Sequence, residues 1–467
     1  MTDPLGEKLL RSGIIDAKKL QKALEKQKAT GGRLGENLIA LGYLDKETLE
    51  KFFRRNPPSA RTVEETGLEV SQIEDLLMKH MLGMGDFKIA DLAEHSKLSS
   101  SVVETVMETL RRDKFVEVKG GTGYAAVTYT FKISDTGKIR AGQLMDLCRY
   151  VGPAPVSLDD YRLMVQTQTV KSAVVSEELV KKAFSHLILN ETVIKRLGPA
   201  ISSGKAMFIY GPPGNGKTAI AETISRLLPD TIYIPYSLTV GGEIITIFDP
   251  VNHTPVPCEQ DETVDKRWIQ IKRPVVITGG ELTLRMLDLD FNHISKYYEA
   301  SLQMKANNGI FVADDFGRQQ VEPQNFLNRW IVPLDRRIDF MTLHTGMKFA
   351  IPFDMLTVFS TNLEPKKLVD EAFLRRIPYK IKIDHPSERE YEAIFRMFCR
   401  DNGIDFNEET FNYLLDNYYR KNDIKLNACH PRDIVEQIIV NARYYRRPPK
   451  MSKEAIHEAW NNYFVEM

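Results

Sequence analysis

Gly211-Pro-Pro-Gly-Asn-Gly-Lys217-Thr218 is the stretch from which the rest of this chain is read. It fits the pattern GxxxxGK[ST], in which glycines let backbone N–H groups converge on phosphate oxygens. Its surroundings agree. Ala206-Met-Phe-Ile-Tyr210 is an apolar run that predicts a strand entering the loop. Residues 218–228 predict a helix leaving it, with Ile220, Ile224 and Leu227 on one face. The start of that helix adds a field favourable to anions. Gly211, Pro212, Pro213, Gly214, Asn215, Gly216, Lys217 and Thr218 are therefore the candidate nucleotide-binding residues. Lys217 is expected to reach the β- and γ-phosphates, and Thr218 to ligate Mg2+.

Two further apolar runs end in polar side chains. Ile310-Phe-Val-Ala-Asp314-Asp315 ends in carboxylates, of which Asp314 suits the Mg2+ shell and Asp315 the activation of water. Leu356-Thr-Val-Phe-Ser-Thr361-Asn362 ends in an amide. Asp370-Glu-Ala-Phe-Leu-Arg375-Arg376-Ile377 follows, and His430-Pro-Arg432-Asp433 opens a later helix. From about residue 182 to the C-terminus, this order of motifs resembles the AAA+ ATPases. The resemblance implies an α/β P-loop NTPase core with a helical C-terminal lid, hydrolysing ATP with Mg2+. It implies that Asn362 positions the attacking water and that Arg432 touches the γ-phosphate from the lid. An arginine reaching a neighbouring subunit's γ-phosphate is also implied, Arg376 being the first choice and Arg375 the second. Self-assembly into a ring, hexameric by expectation, follows from the same resemblance. In one place the chain departs from the family, which mostly has Asp-Glu where this chain has Asp314-Asp315. A carboxylate misplaced by about 1 Å can lose on the order of a hundredfold in rate.

The run Ile338-Asp-Phe-Met-Thr-Leu-His-Thr-Gly346-Met-Lys-Phe-Ala-Ile-Pro352 alternates around a glycine and predicts a β-hairpin. Its place before the Asn362 strand resembles the AAA+ group with a pre-sensor hairpin, which includes enhancer-binding activators and MoxR-type chaperones. The activators' Gly-Ala-Phe-Thr-Gly-Ala contact loop is missing, so the transcription-related reading ranks below a ring that remodels a protein client. A nucleotide-gated scaffold that hardly hydrolyses is the alternative from another class. Residues 235–278 read as an insertion with a strand at 243–248.

Upstream, Leu5-Gly6-Glu7 recurs as Leu34-Gly35-Glu36, and at the same offset Leu9 matches Leu38, Gly13 matches Gly42, Ile15 matches Leu44 and Asp16 matches Asp45. Each copy reads as a short helix, a glycine turn, an Asp cap and a second helix. The repeat resembles the N-terminal domain of type II secretion and type IV pilus ATPases, some of which bind cyclic di-GMP through tandem motifs beginning Arg-Leu-Gly. Arg33 opens the second copy, whereas Pro4 stands at that place in the first; Gln27 closes the first, and Asn56 stands where the second would have Gln. Cyclic di-GMP is thus one expected ligand, and docking of a protein partner is the favoured alternative. Next come three amphipathic helical stretches and two strands, an order resembling a winged-helix domain. Between residues 69 and 142 stand 11 acidic and 10 basic side chains, with Glu104 and Glu108 on the third helix. DNA readers present a clear basic face, so DNA is disfavoured as a partner.

The expected organisation is a helical repeat domain at 1–57, a linker at 58–70, a winged-helix-like α+β domain at 71–150, a connector at 151–181, the nucleotide-binding core at 182–385 and the helical lid at 386–467. Lys plus Arg and Asp plus Glu total 63 each, so no global field draws the chain to nucleic acid or to an anionic membrane. Its four cysteines, Cys148, Cys258, Cys399 and Cys429, have no zinc-like spacing. No run of about 18 apolar residues spans a membrane, and no signal core opens the chain, so a cytoplasmic protein is expected.

Overall fold

The computed structural model describes residues 14–30, 34–45, 56–121, 129–172, 175–228, 230–257 and 263–464, with residues 6, 9, 10 and 48 besides. Its centre is a five-stranded parallel sheet made of β1 (Met207–Tyr210), β2 (Val275–Thr278), β3 (Ile310–Ala313), β4 (Leu356–Thr361) and β5 (Tyr379–Lys382), in the order β2-β3-β4-β1-β5. A parallel strand is covered on both faces, which is why β1, β3 and β4 are nearly unbroken apolar runs. Side chains alternate between two cores. Met207, Ile209, Ile310, Val312 and Val358 pack with Ile220 and Ile224 of helix α1 (Lys217–Ile224). Phe208, Phe311 and Phe359 pack on the other face with Phe326 and Trp330 of α2 (Pro323–Arg336).

β2 lies inside the stretch read as an insertion. A short apolar run such as Val275-Val-Ile-Thr278 carries no period that marks it as core rather than ornament. Elsewhere in the insertion, Ser237–Val240 and Glu243–Thr246 join a second sheet with the later strands Tyr297–Glu299 and Asp290–Asn292 and, at one edge, Val156–Ser157, whereas Trp268–Lys272 pairs with Thr231–Pro235. Residues 151–181, read as a connector, thus supply a strand as well as the helix Leu158–Thr167. The hairpin pairs Ile338–Thr342 with Lys348–Pro352, and Gly346 at φ 85° sits in its turn.

From residue 386 the described chain is helical. Helix α3 (Glu388–Asp401) opens with a capping box in which Ser387 accepts from the Glu390 N–H and the Glu390 carboxylate accepts from the Ser387 N–H. Glu408–Leu414 runs into a π-helical turn, Leu415–Arg420, and α4 (His430–Tyr444) and α5 (Lys453–Tyr463) close the unit. Tyr391, Phe395, Phe411, Tyr419, Ile434 and Trp460 form its core.

The repeat at the N-terminus is visible in its hydrogen bonds. The N–H of Ile14 donates to Leu9 O at 3.1 Å, and at the matching positions the N–H of Tyr43 donates to Leu38 O at 3.0 Å. Asp16 and Asp45 each accept the N–H three residues on, from Lys19 and Thr48. Leu9, Leu38, Ile15 and Leu44 share one small core. Arg33, on which the cyclic di-GMP reading falls, lies outside the described residues, as do Pro4 and Cys258. Next, the helices Val70–Gly83, Ile89–Ser96 and Ser100–Arg112 precede the antiparallel pair Val116–Gly121 and Tyr129–Ile133, with Asp86–Phe87 on the free edge of the latter strand. Among the described residues, no helix is long and apolar enough to cross a membrane.

Candidate functional site

β1, β3 and β4 end side by side, with Thr361 opposite Tyr210 and Phe359 opposite Ala313, so the residues that follow each strand meet in one crevice. After β1 the chain turns sharply at Gly211, whose φ is 147°; a Cβ there would stand 1.9 Å from Ile383 O. No other residue type fits so close an approach. The loop then delivers Lys217 and Thr218 into the first turn of α1.

Four side chains predicted separately are brought into contact. Thr218 Oγ1 donates to Asp314 Oδ2 at 2.8 Å, and Asn362 Nδ2 donates to Asp315 Oδ1 at 2.9 Å. Lys217 is buried, and its Nζ donates to the carbonyls of Gly211 at 3.0 Å and Pro212 at 2.8 Å. Burial lowers the Lys217 pKa from its usual value, while the charges of Asp315 and Asp314 oppose that shift. Asp315 has φ 48°, a left-handed conformation that Asp tolerates better than most residues. Its turn is stitched to β4, because Phe316 N–H donates to Ser360 O at 2.7 Å and Thr361 Oγ1 donates to Phe316 O at 2.7 Å.

A cavity of about 460 Å³ runs from this cluster to the C-terminal helices, and Arg432 of α4 lines it together with the loop, Asp314, Asp315 and Asn362. Arg432 pairs with Asp433 at 2.9 Å, and its side chain is 61% exposed. Arg375 and Arg376 do not line the cavity of their own chain. Arg376 Nε donates to Asp335 Oδ2 of α2 at 2.7 Å, whereas Arg375 is exposed.

The sequence reading missed the apolar end of the cavity. Leu187, Ile188 and Leu189 form one wall, and Ile394, Met397 and Phe398 of α3 form the other. Their chemistry suits the flat, weakly polar face of a nucleobase. The signal lay in α3, which carries two apolar stripes. Tyr391, Phe395 and Cys399 enter the helical core, while positions 394, 397 and 398 face the cavity at helical spacing, Phe398 also packing against that core. Asn427 and Cys429, which meet Asn215 and Gly214 of the loop at the start of α4, were missed as well.

Comparison with known proteins adds partial likenesses. A family described as Domain of unknown function (DUF8689) matches residues 387–462. Over 51 residues the chain is 41% identical to Vesicle-fusing ATPase of Dictyostelium discoideum, an alignment covering 11% of this chain and 7% of that protein. The chain therefore spans only a small part of that relative's length. Among solved structures it resembles NtrX from Brucella abortus, with a TM-score of 0.36, 13% identity and coverage of 63% of this chain and 59% of that one. It also resembles the Thermotoga maritima RuvB Holliday junction branch migration motor, with a TM-score of 0.32, 12% identity and coverage of 66% and 71%.

Proposed function

We propose that this chain is an AAA+ ATPase that binds ATP between the phosphate loop and a lid formed by the C-terminal helices, hydrolyses it, and works as an oligomeric ring on a protein partner. The observation that carries the reading is the meeting of three strand ends, where Thr218 touches Asp314 and Asn362 touches Asp315 beside the buried Lys217. Asp315 is the proposed base for water, and Asn362 holds it. Arg432 is the proposed lid contact to the γ-phosphate. Thr218 and Asp314 present hard oxygen donors that suit Mg2+, which would neutralise phosphate charge when bound. The hairpin before β4 supports the pre-sensor group. The 51-residue likeness to an ATPase agrees with nucleotide hydrolysis.

A scaffold that binds ATP and scarcely turns it over is the second reading. The short carboxylate of Asp315, held by Asn362, favours it. Calorimetric titration and steady-state phosphate release test both. Lys217→Ala should abolish ATP binding, because the loop then offers no mobile cation to the phosphates. Asp315→Asn should keep binding and stop release, since an amide cannot accept the water's proton. Unchanged affinity in Lys217→Ala defeats the assignment of the site. Tight binding with no phosphate release by the wild type selects the scaffold.

A further inference from the structure

Asn215 is only 4% exposed, although Pro213, Gly214 and Gly216 around it are exposed. Its carboxamide is turned toward the lid. Asn215 Oδ1 accepts the N–H of Ala428 at 3.0 Å, and Asn215 Nδ2 is shared between Asn427 Oδ1 and the carbonyls of Pro212 and Pro213, each at 3.4 Å. Beside it, the N–H of Cys429 donates to Gly214 O at 2.9 Å. Ala428 and Cys429 immediately precede α4, so the loop holds that helix by its point of entry. Gly214 is what permits the approach: a Cβ there would come within 2.7 Å of Cys429 Sγ.

Asn427 carries the connection inward. Its Nδ2 faces His430 Nε2 at 3.3 Å, His430 Nδ1 faces the Tyr419 hydroxyl at 2.9 Å, and the hydroxyls of Tyr419 and Tyr391 lie 2.7 Å apart. With Asn427 donating, His430 Nε2 accepts and Nδ1 keeps the proton that it donates to Tyr419. One polar chain thus crosses from the phosphate loop through the start of α4 and the π-helical turn to α3, in surroundings where an unpaired polar group is costly. Both nucleotide-facing parts of the lid hang on its ends: Arg432 stands two residues beyond His430, and Ile394, Met397 and Phe398 lie on the same helix as Tyr391.

We propose that Asn215 and Asn427 form a latch between the phosphate loop and the lid, with Asn427 a positioning residue that brings Arg432 and the apolar wall of α3 to the nucleotide. This rests on the ATPase reading. Without the latch the lid opens, and the fraction of molecules competent to bind falls. Apparent affinity falls by the same factor, while saturating nucleotide closes the lid again.

Steady-state ATP hydrolysis by the wild type, Asn427→Ala, Asn215→Ala and the double variant tests this. Asn427→Ala should raise KM about tenfold, the size expected for one lost hydrogen bond, and leave kcat within about twofold. The double variant should be little worse than either single variant, because partners in one contact are not additive. An unchanged KM in Asn427→Ala, a fall in kcat at constant KM, or fully additive effects overturns the latch. Amide exchange of the nucleotide-free proteins supplies a readout that does not depend on turnover. Ala428 and Cys429 should exchange faster in Asn215→Ala than in the wild type, and unchanged protection of both also overturns the proposal. If the wild type neither binds nor hydrolyses ATP, the ATPase reading fails, and the exchange rates still decide whether the latch exists.

Discussion

Asp315 is one methylene shorter than the glutamate that the AAA+ resemblance leads one to expect there. Two structural terms act on it in opposite directions. Its φ of 48° favours Asp over Glu, because a left-handed backbone costs a longer L side chain about 1 kcal/mol. Its reach favours Glu, since the carboxylate is drawn to Asn362 at 2.9 Å and, in the proposed reaction, would also address a water on the phosphate. Near-attack geometry is worth more than a backbone preference of that size. Asp315→Glu should therefore raise phosphate release about tenfold while lowering the melting temperature slightly. A rate no higher than wild type would mean that reach is not what limits turnover. At this scale the loop, Asp314, Asp315 and Asn362 were legible because each directly follows an apolar strand. The latch was not, since Asn215 and Asn427 are 212 positions apart and neither stands in a motif that requires the other.

Elements were legible where burial imposes a period or an unbroken apolar run, as for β1, β3, β4 and the hairpin. They were illegible where two residues suffice to add a strand, as at Val156–Ser157, or where nothing separates a core strand from its neighbours, as at β2. The start of α4 shows what packing adds to the sequence. Burial lowers the His430 pKa to about 4; the charge of Asp433 opposes the shift and nearby His385 adds to it. An unfolded histidine titrates near about 6.5. Between those values the unfolded chain takes up a proton that the folded chain refuses. The contribution of neutral His430 is therefore complete above about pH 6.5 and is lost as pH falls toward 4. The shift amounts to on the order of 3 kcal/mol. Urea unfolding followed through Trp460, which packs against Tyr419, should show a steeper loss of stability across this window in the wild type than in His430→Gln. Equal pH dependence in both would show that His430 is not the group responsible.

The segment read as a linker is held against residues 263–267 by contacts that its sequence did not disclose. Pro58 bridges Val264, Ser59 N–H donates to Thr263 O, and Asp265 N–H donates to Pro57 O. Buried Arg267 pairs with Asp265 and donates to Thr66 O and Pro155 O, so the segment read as a linker is pinned at both ends. In the proposed ring, Arg375 and Arg376 mark one candidate edge of the surface that a neighbouring subunit would meet. Arg376 is held by Asp335 of its own chain, which either presents the guanidinium outward or keeps it at home; Arg375 is exposed. Mixing separates these cases. An arginine that acts in trans cannot serve its own loop. Arg376→Ala subunits keep an intact phosphate loop, and Lys217→Ala subunits keep the arginine. Each should be nearly inactive alone, since such arginines are worth roughly a thousandfold in turnover. Together they should recover activity wherever an intact loop meets an intact arginine, with ATP present and assembly followed by light scattering. Recovery with Arg375→Ala and not with Arg376→Ala would move the role to the exposed neighbour and leave Arg376 a tie between α2 and the chain after β4. Assembled mixtures that stay inactive in both pairings would place neither arginine at a neighbour's nucleotide.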